Sequence, residues 1–318
     1  MKGWRWGVAM AVSAAGIWLA LRGVDGNAVR ASLERVRHPW FLLFIPLAGG
    51  LEYAIRTERW RLVLGEPRAL RPALFPIVAG AFFLNNVLPF RAGEAARVYW
   101  THRRTGRPLV GAVAALAVDR LMDSLALVSL FLAALAAGRT AVPRGAAWGL
   151  LAVGILGFLF FVLLARRSER VGRWLDSSRL PGPVQKFLRA FMAGAAPLGS
   201  FRTLALILVL SLAIWSLNAA VFMGAGRLFG IHLGWTDGSF LLAGIALGVA
   251  LPSAPGFVGT YEAAGVGTLA LLGHEKAVAF PFIAALHLAQ MAGTALWGLP
   301  SLVAVARTGK KITALEDL

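Results

Sequence analysis

The chain of 318 residues is 58% hydrophobic, only 15% charged and has a mean hydropathy of +0.71, which excludes an ordinary soluble domain, where about a quarter of residues are charged. Its formal charge of +17 would suit nucleic acid, but the basic residues lie in short patches between apolar runs rather than in one stripe, so no nucleic-acid partner is expected. There is no cysteine, which removes disulfides and thiolate metal sites.

Lys2 and Arg5 precede an apolar run to Leu21, as in a signal peptide, but no small-x-small cleavage site stands out before Arg22, so the run is read as a retained first span. Further apolar runs predict spans near 40–56, 73–88, 109–137, 147–165, 201–226, 238–251, 257–273 and 277–305. Residues 27–38 place Val29, Leu33 and Val36 on one helical stripe, predicting an outer interfacial helix. Residues 166–200 are polar and arginine-rich, with Arg166, Arg167, Arg170, Arg173 and Arg179. Val184, Phe187, Leu188, Phe191 and Met192 at helical spacing fit either a helix lying on the membrane surface or a solvated linker.

Two of the runs, 73–88 and 238–251, are short for the roughly 20 residues a crossing needs, and each ends at a Pro/Gly break. The first break is Asn86-Val87-Leu88-Pro89-Phe90-Arg91-Ala92-Gly93-Glu94-Ala95-Ala96-Arg97. The second is Leu251-Pro252-Ser253-Ala254-Pro255-Gly256-Phe257-Val258-Gly259-Thr260-Tyr261-Glu262. Proline cannot donate a backbone hydrogen bond, and freed backbone groups are tolerated in hydrocarbon only beside other protein or trapped water, so both breaks are expected to face a cavity. If both segments fold back as re-entrant hairpins from opposite faces, most Lys and Arg fall on the inner side; full crossing would put more of them outside.

The expected fold is therefore an all-α polytopic membrane protein of two inverted repeats, each with a broken re-entrant hairpin, in one transmembrane domain over 1–318. The first repeat is 1–137, the start of the fifth span and a cytoplasmic connector occupy 138–200, and 201–318 complete the second. Both termini are expected on the cytoplasmic side of the cell membrane.

The crossing at 109–137 carries Asp119, Arg120 and Asp123. Asp119 lies about ten residues in, roughly 15 Å at about 1.5 Å per residue, close to mid-bilayer. Each such charge costs about 2.5–3.5 kcal/mol on insertion scales, so the three must pair or serve a polar cavity. Arg120 reads as the clamp of the two carboxylates or as a ligand group. His287, with Gln290 nearby, is also ten residues into its crossing; it reads as a hydrogen-bonded packing residue or as a polar, proton-accepting group of a pathway. Arg91, Glu94 and Arg97 are three apart and share one helical side, giving either an anionic head-group site or an internal clamp. Asn85 and Asn86 read as caps or ligand contacts. Gly256 and Gly259 offer N–H groups at a helix start ahead of Tyr261 and Glu262. Glu52 and Arg56 read as a helix pair, and Arg59, Trp60 and Arg61 as an interfacial anchor.

The five histidines have no metal-ligand spacing, no P-loop is present and Ser253 has no assignable base, so no cofactor, metal, ATP hydrolysis or catalytic residue is expected.

These motifs resemble the lysylphosphatidylglycerol synthase transmembrane-region family, flippase-like integral membrane proteins. The likeness rests on Asn86 to Arg97, on Asp119-Arg120 with Asp123, and on Pro255 to Glu262. It implies a domain that moves lipids between leaflets, similar to the N-terminal flippase domain of multiple peptide resistance factor. The residues up to Leu318 leave no room for the soluble aminoacyl-transferase domain of those proteins, so that activity is not expected. The expected function is ATP-independent transport of a lipid with a polar, anionic or phosphate-bearing head group past Asn86, Arg91, Glu94, Arg97, Asp119, Arg120, Asp123, Gly256, Gly259, Tyr261, Glu262 and His287. The alternatives are an intramembrane enzyme, or an accessory subunit of a separate enzyme of lipid or polyprenyl-lipid modification.

Overall fold

In hydrocarbon a chain satisfies its backbone only by bonds within each segment or a closed sheet, so long apolar runs become helices. The computed structural model describes residues 3–34, 36, 39–88, 91–136, 156, 159, 163, 166–178, 180–251 and 253–316, and it is all-α with no strand among them. The chain is an all-α, multi-pass membrane protein. The expected span at 147–165 falls almost wholly outside the described residues, as do Pro89, Phe90, Pro252 and Arg179.

Helix α1 (Gly3–Leu21) is followed by α2 (Gly26–Glu34), bent by 78° from it. Of the stripe expected for an outer interfacial helix, Leu33 on α2 is exposed, while Val36 lies beyond the helix and packs against the core of the second hairpin; Ser32 of α2 is buried. Helix α3 (Phe44–Leu64) runs past its expected end at 56, and Gly65, in the left-handed region at φ 70, ends it by bonding back to the Leu62 carbonyl. The first hairpin is α4 (Arg71–Val87) and α5 (Ala92–Thr105), followed by α6 (Leu109–Ala136). The connector contains α7 (Ser168–Ser177) and α8 (Gly182–Ala195). On α8, Met192 is buried while Val184 and Phe187 are exposed, so one side packs on the protein against Gly111 and Ala114 of α6 and the other faces out. Helix α9 (Phe201–Leu228) leads to the second hairpin, α10 (Trp235–Gly248) and α11 (Thr260–Leu271), and α12 (Lys276–Glu316) closes the described fold.

Among the described residues, Arg68–Val87, Phe201–Leu228 and Lys276–Arg307 are long and apolar enough to cross a membrane; the run expected at 73–88 is therefore not short, because helical structure begins at Arg68. Helices α3 and α6 have the length, 21 and 28 residues, but carry ionised side chains. Arg56 and Arg59 of α3 face Asp119 and Asp123 of α6, while Leu47, Val209, Leu288 and Leu296 are exposed on the outside.

Each hairpin has its own apolar core. Trp60, Leu64, Leu74, Val78, Val118 and Met122 pack around the first, and Phe222, Leu241, Leu269, Phe282, Ile283 and Leu286 around the second. Helix α12 is a ruler for both. The first hairpin packs along its far part, with Gly80 against Leu302 and Phe83 against Gly298. The second packs along its near part, with Gly265 against Ile283 and the Tyr261 hydroxyl donating to Gln290 Oε1 at 2.6 Å. The two hairpins therefore approach from opposite ends, and their breaks meet. Arg91 Nη2 donates to the Val249 carbonyl at 3.2 Å, and a Cβ on Gly256 would lie 3.6 Å from the Asn86 carbonyl oxygen. At the outer end of the first hairpin, Arg107 lies 3.7 Å from Glu66, so α4 leaves and α5 returns at the same end.

Gly93 permits the α4–α5 approach, because any side chain there would run into the Ala81 carbonyl. Gly93→Val should lower thermal stability in detergent by at least the roughly 1–3 kcal/mol typical of overpacking. Gly267→Ala, where a Cβ meets open space, should leave stability unchanged or slightly raised.

Candidate functional site

Positions 52, 56 and 59 lie on one side of α3, and 119 and 123 on one side of α6, because residues three or four apart on a helix are neighbours. Packing brings the two sides together. Arg59 Nη1 donates to Asp123 Oδ1 at 2.7 Å and to Ser211 Oγ at 3.0 Å. Its Nη2 sits 2.8 Å from Asp119 Oδ1, a charge contact outside hydrogen-bond alignment. Arg97 Nη1, from the first hairpin, donates to Asp119 Oδ2 at 2.8 Å, and its guanidinium lies over the Trp60 ring, 3.8 Å from the centroid. Arg56 donates to Glu52 at 2.6 Å and stands 3.4 Å from Asp123, which also accepts the Trp215 indole N–H at 3.1 Å. Arg120 approaches Asp119 and Asp123 at 3.2 and 3.4 Å and Glu94 at 3.8 Å; Arg91 lies 3.8 Å from the same Glu94 oxygen.

Several expectations change here. Arg59 and Trp60 are not an interfacial anchor: both are fully buried. The buried clamp of the two aspartates is Arg59, with Arg120 a third exposed beside it. Arg97 turns away from Glu94 to Asp119, so the two guanidiniums around Glu94 are Arg91 and Arg120. Two carboxylates inside an apolar helix do need several cations, and Glu52, Arg56 and Arg59 at helical spacing were the available signal for them.

The second hairpin builds a different constellation. Glu262 Oε2 accepts the Gly259 N–H at 2.6 Å, and Oε1 lies 2.6 Å from His287 Nδ1. The helix start at Gly259 thus carries its own carboxylate, and its N–H is not open to an outside anion. Gly259, at φ 92, lies directly on the Ser13 backbone of α1, and Ser13 Oγ accepts the Ala254 N–H at 2.8 Å. Tyr261 stacks on the His287 ring, 4.0 Å between centroids and 10° between planes.

Between the two constellations lies a cavity of about 240 Å³. First-hairpin Phe82 and Asn86, second-hairpin Tyr261, and Val249 and Phe257 at the second break contribute to its wall. Glu52, Tyr53, Trp215, Asn218, His287, Gln290 and Thr294 come from α3, α9 and α12. Of the expected site residues, Asn86, Tyr261 and His287 line it. Glu262 stands behind His287, Arg91 reaches the carbonyl of cavity-lining Val249, and Gly256 packs beside Met291 at the meeting of the breaks. Arg97, Asp119, Arg120 and Asp123 form the adjoining ion network, with Glu94 at its edge. Glu52, Trp215 and Asn218 had no site role in the sequence reading; they come from helices that only packing brings to the hairpin breaks. Among the described residues no group of three or more His, Asp or Glu could hold a metal ion.

The sequence profile of the lysylphosphatidylglycerol synthase TM region matches residues 6–298. The chain belongs to this family. Within the curated proteins, this family member is 29% identical over 257 residues to "Glycosyltransferase AglD" of Haloferax volcanii. That match takes in 67% of this chain and 40% of the relative, so the chain spans less than half the length of the relative it matches. No solved structure matches it.

Removing one partner of a buried ion pair strands the other charge, which costs about 3–5 kcal/mol. Arg59→Leu and Asp119→Asn should each destabilise the protein by that order in detergent unfolding. Arg30→Ala, at a solvent-exposed pair with Glu34, should leave the transition where it is.

Proposed function

We propose that this chain is an ATP-independent lipid transporter of the flippase kind, acting in the cytoplasmic membrane. The observation that carries the reading is the cavity, apolar over much of its wall but set with amide, hydroxyl, carboxylate and imidazole groups, where the breaks of two oppositely directed hairpins meet, inside a body with many apolar side chains exposed on its outside. The barrier to leaflet exchange is desolvation of the head group. A wall of amides, hydroxyls, a carboxylate and an imidazole replaces water for the head group while the tails stay in lipid. Arg91, 41% exposed in its side chain, and Glu94 flank the meeting of the hairpins, where a phosphate or other anionic part of the lipid would pass. The hairpins are the re-entrant elements of two inverted repeats, the first entering from the cytoplasmic side with both termini, the second from the opposite face. An accessory role beside a separate lipid-modifying enzyme is the second reading. It is favoured by the name of the relative, whose length exceeds the stretch matched here.

Purified protein in vesicles should accelerate leaflet exchange of at least one member of a panel of anionic, zwitterionic and polyprenyl lipids; no acceleration for any member overturns the transporter reading. Glu94→Gln and Arg91→Ala should each slow exchange about tenfold, the equivalent of one lost charged hydrogen bond, with folding intact. The wild-type chain has no thiol, so single cysteines report topology directly. Arg68→Cys and Gly106→Cys should label from the same face and His274→Cys from the other. Labelling of 68 and 106 from opposite faces overturns the re-entrant arrangement.

A further inference from the structure

The ionised groups around the cavity are already spoken for. Glu52, the carboxylate in its wall, receives Arg56 at 2.6 Å, and Glu262, behind His287, holds both that ring and the Gly259 N–H. Arg59, Arg97 and Arg120 are bound to Asp119 and Asp123, and no lysine or arginine among the described residues lines the space. A phosphate inside would face the Glu52 carboxylate with no guanidinium to receive it. An ammonium group could reach the second oxygen of Glu52, but would meet there a carboxylate whose charge Arg56 already balances, and Glu262 is screened by His287. Burying either charge without a partner is strongly unfavourable.

Much of the remaining wall is apolar, with Ile45, Leu242, Ile245 and Met291 among its residues, and the polar groups set into it are neutral and bifunctional. Asn86, Asn218 and Gln290 each bring a carbonyl and an amide NH₂. The described hydrogen bonds use one Asn218 amide proton, on the Ile214 carbonyl, and the Gln290 carbonyl, which takes the Tyr261 hydroxyl. Tyr53 and Thr294 add a pair of hydroxyls 3.3 Å apart, and Phe82, Phe257 and Trp215 add aromatic surface. Groups that both donate and accept match hydroxyls, which do the same, and aromatic surface matches the C–H face of a saturated ring. The volume of about 240 Å³ is just below the roughly 300–1,000 Å³ of ordinary small-molecule sites, enough for one small ring.

We propose that the cavity binds an uncharged, hydroxyl-rich group, a single sugar or polyol unit, as the part of the lipid head group that leaves water. This rests on the transporter reading and names the chemistry its site selects; any charged part of the same lipid would pass beside the cavity, along Arg91, rather than through it.

The test compares three lipids with identical tails in vesicles holding the full chain: a monohexosyl diacylglycerol, phosphatidic acid and a trimethylammonium-propane lipid. A parallel measurement follows thermal stabilisation of the detergent-purified protein by the hexosyl lipid and by free hexose. The hexosyl lipid should exchange fastest and stabilise saturably, and Gln290→Leu and Asn218→Leu should each lower both effects about tenfold, as one lost hydrogen bond does. Asn218→Arg, which adds a guanidinium to the wall, should shift exchange toward phosphatidic acid. Unliganded melting curves identify any variant that fails to fold, and the wild-type lipid comparison does not depend on the variants.

Exchange of phosphatidic acid or the cationic lipid without the hexosyl lipid overturns this inference and leaves the transporter reading standing. Saturable, Gln290-dependent binding of the hexosyl lipid without exchange supports the site and overturns transport. Stabilisation by free hexose alone assigns the site to a soluble sugar rather than a lipid, and neither binding nor exchange overturns both proposals.

Discussion

The structure depends on how two carboxylates come to lie inside an apolar helix. Asp119 and Asp123 are buried in α6, and an unpaired carboxylate there is costly, so arginines must come to them. Arg56 and Arg59 come from α3 and Arg97 from the first hairpin, while Ser211 and Trp215 of α9 fill remaining hydrogen-bonding positions. Four elements are thereby fixed in one register. A buried ion network is weak evidence for stability, because desolvation offsets much of its attraction, but it tolerates few alternative arrangements. Its contribution here is position: it sets where α5, and with it the tip of the first hairpin, must lie.

The second hairpin is held by other means. Glu262 binds the N–H of Gly259 at the start of α11 and, with its other oxygen, His287 on α12, while Gly259 is seated on the backbone of α1. One hairpin is anchored by excess cation and the other by a carboxylate and an imidazole, so the two sides of the cavity differ chemically although both arise from a broken helix. Two residues other than glycine adopt positive φ among the described residues, Arg91 and Phe257, one at each break. Such backbone costs of order 1–3 kcal/mol and persists where surrounding contacts enforce it. Here the contacts are those between the breaks, Arg91 on Val249 and Gly256 beside Asn86.

Much of this arrangement was legible in the sequence, for identifiable reasons. Proline and glycine interrupt apolar runs by covalent geometry, which placed the two breaks, and an isolated aspartate at mid-helix is too costly to be incidental, which singled out Asp119 and Asp123. Arg59 and Trp60 lie just past the end of the apolar run, where the sequence points to an interfacial anchor, yet α3 continues to Leu64 and carries both into the interior. Arg97 and Glu94 share a helical side by spacing, but spacing does not state which carboxylate a long, flexible guanidinium will reach. Asp119, fully buried, takes Arg97, and the partly exposed Glu94 does not.

By itself, then, the sequence determined the all-α membrane class, the positions of the breaks and the presence of interior charge, because hydropathy, proline and the cost of ions in hydrocarbon act locally. Only the tertiary structure decided that the breaks meet, that Glu52, Trp215 and Asn218 join them in one wall, and that the arginines are consumed by the network beside the cavity instead of lining it. Those outcomes depend on which faces of distant helices pack together, and pairing between residues dozens to hundreds of positions apart leaves no periodic trace in a single chain.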